Sequence, residues 1–219
     1  MAEASSRAIE SNQSGPHERL EEVVSKHLRT VSRRPVADHT RLAFEAMQQW
    51  LGAGNSLPII LDACCGVGDS TRNLAAQHSD HLVVGIDKSI KRLSKERAVA
   101  DPSNMLLLQA DLNDFYRLLV QESIQIARHY ILYPNPWPKA AHLGRRWHGA
   151  PVFSDIIKVK GPLELRSNWK LYLEEFQLAL KVAGIASELE PFTPETPISP
   201  FEAKYHASGQ KLWRLTAHT

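Results

Sequence analysis

Three carboxylates stand at the ends of three successive apolar runs. Asp62 lies in Pro58–Cys64 (PIILDAC), Asp87 follows His81–Ile86 (HLVVGI), and Asp111 follows Met105–Gln109 (MLLLQ). Runs of this length and composition read as buried parallel strands. Each acid therefore sits at a strand end, where open α/β sheets bind their ligands. Gly66 and Gly68 follow the first run and let the turn pass close beneath a ligand. A carboxylate placed as Asp87 is suited to accept both hydroxyls of a ribose. Asp62 is placed for other polar groups of that ligand, and Asp111 for the neighbourhood of an adenine. The chemistry is that of a nucleoside-containing cofactor.

Two such cofactors compete. A dinucleotide needs a third glycine where this chain has Thr71, and its pyrophosphate would meet Asp62 and Asp69 at the helix start. S-adenosylmethionine has no phosphate and carries a cationic sulfonium and a cationic ammonium, so acids suit it. It is the expected cofactor.

A fourth apolar run, Ala127–Tyr133 (ARHYILY), leads into Tyr133-Pro-Asn135-Pro-Trp137-Pro-Lys139, then His142 and Arg145-Arg146. Prolines at this density fix a loop, and they present an asparagine and a tryptophan to a methyl donor bound beside it. Here the chain resembles the TrmB-type tRNA (guanine-N7)-methyltransferase family, whose signature is Pro-Asp-Pro-Trp, a lysine and paired arginines. The resemblance runs on through Ser167-Asn168-Trp169 with Tyr172, then Ser199-Pro-Phe201-Glu202 and Gly209, and spans roughly residues 58–217. It implies methyl transfer from S-adenosylmethionine to guanine N7 in tRNA, with Asn135 at the catalytic position. It implies Asp62, Gly66, Gly68, Asp87 and Asp111 around the cofactor. Lys139, Arg145, Arg146, Asn168, Ser199, Phe201 and Glu202 would hold the nucleotide or its phosphates. Asn135 and Asn168 replace family aspartates, Cys64 a glycine and Pro200 a lysine. Asn135-Pro-Trp137 is also similar to the Asn/Asp-Pro-Pro-aromatic motif of enzymes that methylate exocyclic amines. Methylation of another nucleobase or a small molecule, and a non-catalytic tRNA- or cofactor-binding relative, stand as the alternatives.

These residues need a scaffold that delivers strand ends to one edge. Helices read over Thr71–His78, Ser89–Ala100 and Asn113–Gln121 alternate with the four runs. A strand over Pro162–Arg166, a helix over Trp169–Val182 and strands over Ile185–Pro191 and Gln210–Thr216 complete the pattern. The fold class is α/β: a doubly wound, mostly parallel, seven-stranded Rossmann-like sheet of the class I methyltransferase kind. Its last two strands are expected to form an antiparallel hairpin with no helix between them. Residues 1–16 read as a disordered leader and 17–56 as N-terminal helices (Glu18–Leu28, and Asp38–Leu51 ended by Gly52 and Gly54). Residues 57–219 are the methyltransferase domain.

Bulk properties bound the rest. The 219 residues are 43% hydrophobic and 23% charged with a net charge of +2, ordinary for a globular protein. Charge is uneven: Lys26, Arg29, Arg33, Arg34 and Arg41 face only Asp38 across that segment, and Lys139–His148 holds no acid. No run is long enough to span a bilayer and no signal peptide is evident. Cys64 and Cys65 are adjacent, which suits a reduced compartment, so the expected location is cytoplasmic. The histidines show no metal-ligand spacing, and no metal is expected.

Overall fold

In the computed structural model, which describes residues 6–52, 56–96 and 98–219, seven strands form one sheet in the order β3-β2-β1-β4-β5-β7-β6. The first five in sequence, β1 Ile59–Ala63, β2 Leu82–Asp87, β3 Met105–Gln109, β4 Arg128–Leu132 and β5 Pro162–Ser167, are parallel. β6 Ser187–Phe192 and β7 Leu212–His218 close the sheet, with β7 antiparallel to both β5 and β6. The order reverses between β1 and β4, which makes their carboxyl ends the ligand crevice. β1 and β2 are buried along their whole length, as continuous apolar runs covered on both faces must be.

One face is covered by α1 Leu20–Leu28, α2 Asp38–Gly52, α5 Leu112–Gln121, α6 Phe153–Ile156 and α7 Lys170–Val182. Leu20, Val24, Phe44 and Met47 share one apolar core with Phe115, Phe153, Phe176 and the inner strands. The first two helices are thus part of the packed body. The opposite face is covered by α3 Asp69–Gln77 and by a segment around Ile198. α3 lies tight on β2 because Gly85 has no side chain: a Cβ there would come within 2.2 Å of Thr71 Oγ1.

Two expectations are corrected. The helix read over Ser89–Ala100 shrinks to α4, Ile90–Leu93. None of its described residues is buried (Ile90 and Val99 are exposed), and a longer helix there would have no packed face to hold it. The final strands are not a direct hairpin, because α8 Pro200–Ala207 lies between them. Its start was legible as Ser-x-x-Glu with proline at the first helical position: Ser199 Oγ accepts the amide of Glu202 at 3.1 Å. The leader, read as disordered, runs in residues 6–16 as an extended strap pinned by the hydrogen bonds described below. Its first five residues, Gly54 and Arg97 lie outside the described residues.

Candidate active site

The loop after β1 turns through three left-handed residues, Cys64 (φ 62°), Gly66 (φ 62°) and Gly68 (φ 80°). The glycines take this conformation freely; a cysteine does not. The loop is tied back by Cys65 N donating to Ile86 O and Gly68 N to Cys65 O, at 3.0 and 2.9 Å. Open space lies where a side chain of Gly66 would project. Asp62 is fully buried below the loop, and its Oδ2 accepts hydrogen bonds from Ser70 Oγ and Thr71 Oγ1 at 2.6 and 2.7 Å. Its Oδ1 has no partner among the described residues. Burial pushes its carboxyl up to about 6, with the two hydroxyls pulling the other way. An orphaned, buried carboxylate oxygen beneath an open glycine cradle fits the ammonium of S-adenosylmethionine, which would supply the charge this oxygen lacks.

Asp87, at the end of β2, accepts hydrogen bonds from Gly66 N (3.1 Å) and Ser89 N (2.8 Å), which aim its carboxylate at the same loop. The half-exposed Arg92 also reaches it at 3.0 Å. Asp111 caps α5: Oδ1 accepts from the backbone and side-chain nitrogens of Asn113 at 2.9 and 2.7 Å. Only its second oxygen is left for a ligand among the described residues.

Across the switch point, the loop after β4 carries two more left-handed residues, Tyr133 (φ 49°) and Trp137 (φ 46°). Asn135 is exposed, and its Oδ1 accepts the Trp137 amide at 3.3 Å, so its amide NH2 is the free end. Arg145 lies over the Trp137 ring at 4.8 Å, and the His142 ring meets its edge. Lys139 and Arg145 are exposed beside them.

Arg146 is not. The expectation that it contacts phosphate is corrected, because its guanidinium is fully buried. It donates to Trp137 O and Lys139 O at 3.0 and 3.2 Å, to Gln13 Oε1, and to Glu175 Oε2. Burial alone would raise Glu175, but hydrogen bonds and charge from His148 and Arg146 outweigh it and hold the carboxyl at about 2. The arginine thus braces the loop after β4 from below. The strap completes the brace: Ser11 Oγ donates to Pro138 O (2.7 Å), Ala140 N to Asn12 Oδ1 (3.0 Å), and Gln13 Nε2 to Glu175 Oε1 (3.0 Å). Glu175 and Gln13 were missed in the sequence; nothing local marks either.

Glu202 is corrected in the same sense. It is fully buried, accepting from Tyr133 Oη and Arg166 Nη1 at 3.0 Å and from Ile198 N at 2.8 Å, so it holds α8 against β4 and β5. Ser199 is spent as the helix cap. Asn168 donates to Gln210 Oε1 at 2.7 Å, and Gln210 in turn donates to Ser6 O of the strap at 2.9 Å. Phe201 is exposed and stacks on Tyr205. Of the substrate-side residues, Asn135, Lys139, Arg145 and Phe201 are thus open to a ligand.

A cavity of about 600 Å3 lies away from Asp62 and Asn135, lined by Gln77, Arg166, Phe192, Ile198 and Arg214, with Arg166 on the Phe192 ring at 4.4 Å. At the far end of α3, the fold gathers His78, Asp80 and His81 within 4.8 Å, a grouping that the spacing did not suggest; Asp80 is exposed and bonded to His81 Nδ1 at 2.8 Å.

A switch point between β1 and β4, acids at the strand ends on one side and a proline-rich loop on the other, is the plan of the class I S-adenosylmethionine-dependent methyltransferases. Solved structures with the same fold include the 16S rRNA methyltransferase KamB (TM-score 0.56, 17% identity, 87% of this chain and 98% of that one). Another is a 16S rRNA (adenine(1408)-N(1))-methyltransferase variant from Catenulisporales acidiphilia, solved with its cosubstrate SAM (TM-score 0.53, 19% identity, 78% and 90%). The methyltransferase family Methyltransf_4 matches residues 56–215, and the chain belongs to it. Curated relatives include the tRNA (guanine-N(7)-)-methyltransferases of Lysinibacillus sphaericus (27% identical, 74% of this chain, 80% of the relative) and Saccharophagus degradans (27%, 74% and 76%). No helix among the described residues is long and apolar enough to cross a membrane.

Proposed function

We propose that the protein methylates N7 of a guanine in tRNA, using S-adenosylmethionine, and that it acts in the cytoplasm. The observation that carries the choice of atom is the orientation of Asn135. Its oxygen is engaged by the Trp137 amide, which leaves the NH2 as the free donor. The edge of guanine bearing N7 offers two acceptors, N7 and O6, and a donor at O6 orients N7 for attack. An exocyclic amine needs an acceptor instead, and here that oxygen is already bonded. The curated relatives named above support the same reading.

S-adenosylmethionine, when bound, supplies an electrophilic methyl group on a sulfonium. Asp62 Oδ1 would hold its ammonium, Asp87 its ribose hydroxyls, and the free oxygen of Asp111 would lie toward its base. N7 has a lone pair and no proton to lose, so the chain needs no general base. Its contribution is alignment, by Asn135, Trp137 and the braced loop. Lys139 and Arg145 are exposed cations beside that loop, placed for the phosphates of the nucleotide. The test is incubation with labelled S-adenosylmethionine and unmodified tRNA, followed by nucleoside analysis. Label in 7-methylguanosine supports the proposal; label in an exocyclic amine moves the reading to that chemistry, and absence of transfer to a non-catalytic relative.

A further inference from the structure

The segment between α1 and α2 plays no part in the site just described, yet with the end of α1 it forms a cationic stretch of the surface. Residues 23–37 contain Lys26, Arg29, Arg33 and Arg34 and no acid. All four are exposed. Elsewhere the fold neutralises many of its arginines: Arg19, Arg72, Arg92, Arg117, Arg146, Arg166 and Arg214 each pair with a carboxylate. Arg29, Arg33 and Arg34 have no such partner among the described residues.

The segment is also held in place. At its start, Thr30 Oγ1 donates to Lys26 O at 2.8 Å. At its end, Ala37 N donates to Asp114 Oδ2, and Asp111 N donates to Thr40 Oγ1, both at 3.0 Å. Pro35 limits the backbone between, and Val36 packs on the core. These bonds bolt it to the first turn of α5, beside the strand end that carries Asp111. Its far end therefore lies beside the strand end that carries Asp111, and its start follows α1, which packs on the turn Trp147–Gly149 just after Arg145.

We infer that Arg29, Arg33 and Arg34 form a second phosphate-binding rim that grips the tRNA backbone at a distance from the methylated base. The inference rests on the proposed function. Two sets of exposed cations, Lys139 with Arg145 and the segment's arginines, together match a ligand that is polyanionic along its length but presents one base to the acid-lined crevice. Contacts of this kind set affinity and its salt dependence and leave the chemistry alone.

The test is the double variant Arg33→Glu/Arg34→Glu in the full chain, with Arg33→Lys/Arg34→Lys as the charge-conserving control and circular dichroism to verify folding. If the charge reversal perturbs the fold, Arg33→Ala/Arg34→Ala replaces it. With bulk tRNA, the charge-reversed variant is expected to raise KM at least tenfold while kcat at saturating tRNA is kept. The magnitude of the slope of log affinity against log salt should fall by about two, near 0.9 per lost contact. S-adenosylmethionine affinity by calorimetry should be unchanged, and the lysine control should behave as the parent. A parent enzyme that methylates tRNA while the folded variant keeps full affinity and salt slope overturns this inference and leaves the proposed function standing. A parent that neither binds nor methylates tRNA overturns both, as would binding to anionic lipid vesicles in place of tRNA.

Discussion

The two halves of the crevice are built differently. On the β1–β3 side the candidate groups are carboxylates at strand ends, buried or pinned by backbone amides within a few residues or one strand away. Asp87 takes its hydrogen bonds from Gly66 and Ser89, and Asp62 from Ser70 and Thr71. On the β4–β7 side the open groups are exposed side chains on a loop, and the charged residues that hold the loop are themselves buried and remote in sequence. Arg146 is braced by Glu175, 29 positions on, and by Gln13, 133 positions back. The strand-end acids are positioned by the sheet; the loop after β4 is positioned by an ionic brace that the sheet does not supply.

That contrast can be broken most forcefully at Glu175. Glu175→Ala leaves Arg146 a buried, unpaired cation, and the expected cost is about 3–5 kcal/mol of stability, read as a shift in denaturant midpoint. A loss below about 1 kcal/mol would mean that the loop stands without its brace. On the other half, Asp87→Ala removes the proposed ribose acceptor and should weaken S-adenosylmethionine by more than tenfold, about 1.4 kcal/mol or more, in calorimetry. Unchanged affinity in a folded variant would remove the cofactor role of that strand end.

A pH series sharpens the comparison. Because burial lifts the carboxyl of Asp62 to about 6 from 3.8, the folded protein keeps a proton that the unfolded chain has released between those values. The cofactor-free protein therefore loses stability from this group as pH rises through that window. A cationic ligand favours the carboxylate, so S-adenosylmethionine binding should strengthen as pH rises through about 6, with affinity falling up to about tenfold per unit below it. Asp62→Asn should flatten that profile. If parent and variant titrate alike, the ammonium does not sit on Asp62.

Smaller effects are expected in the loops. Asn135→Asp should raise methyl transfer to tRNA several-fold, since a carboxylate stabilises the guanine that becomes cationic on methylation. A fall in turnover with cofactor affinity intact would identify the amide as an adapted group. Cys64→Gly should stabilise the protein by about 1 kcal/mol by relieving a left-handed cysteine. A destabilised variant would show that the packing of Cys64 on the core outweighs the strain.

The legibility of the sequence follows the same division. β3 was readable to the residue, and the acids of β1 and β2 at their strand ends, because apolar runs and glycine turns are local signals. α4 was overread, since helix-compatible residues without a buried face do not make a helix. α8 was missed although Ser199 and Glu202 carry a capping pattern, because the same residues were read as nucleotide contacts. Arg146 and Glu202 were read as surface groups for the same reason: composition gives a charge but not its partner, and the partners come from distant elements.

β7 lies between β5 and β6, although it follows both in sequence. A chain made from its N-terminus can pair β1 to β5 as they emerge. β6 has no neighbour to join until β7 has been synthesised and has slotted against both. In that interval β5 presents an open, unpaired edge, the feature by which partly made sheets recruit strands from other chains. The order of strands thus sets a schedule: the strand-end acids and the β4 loop are in place early, and the sheet is sealed only when residues 212–218 arrive.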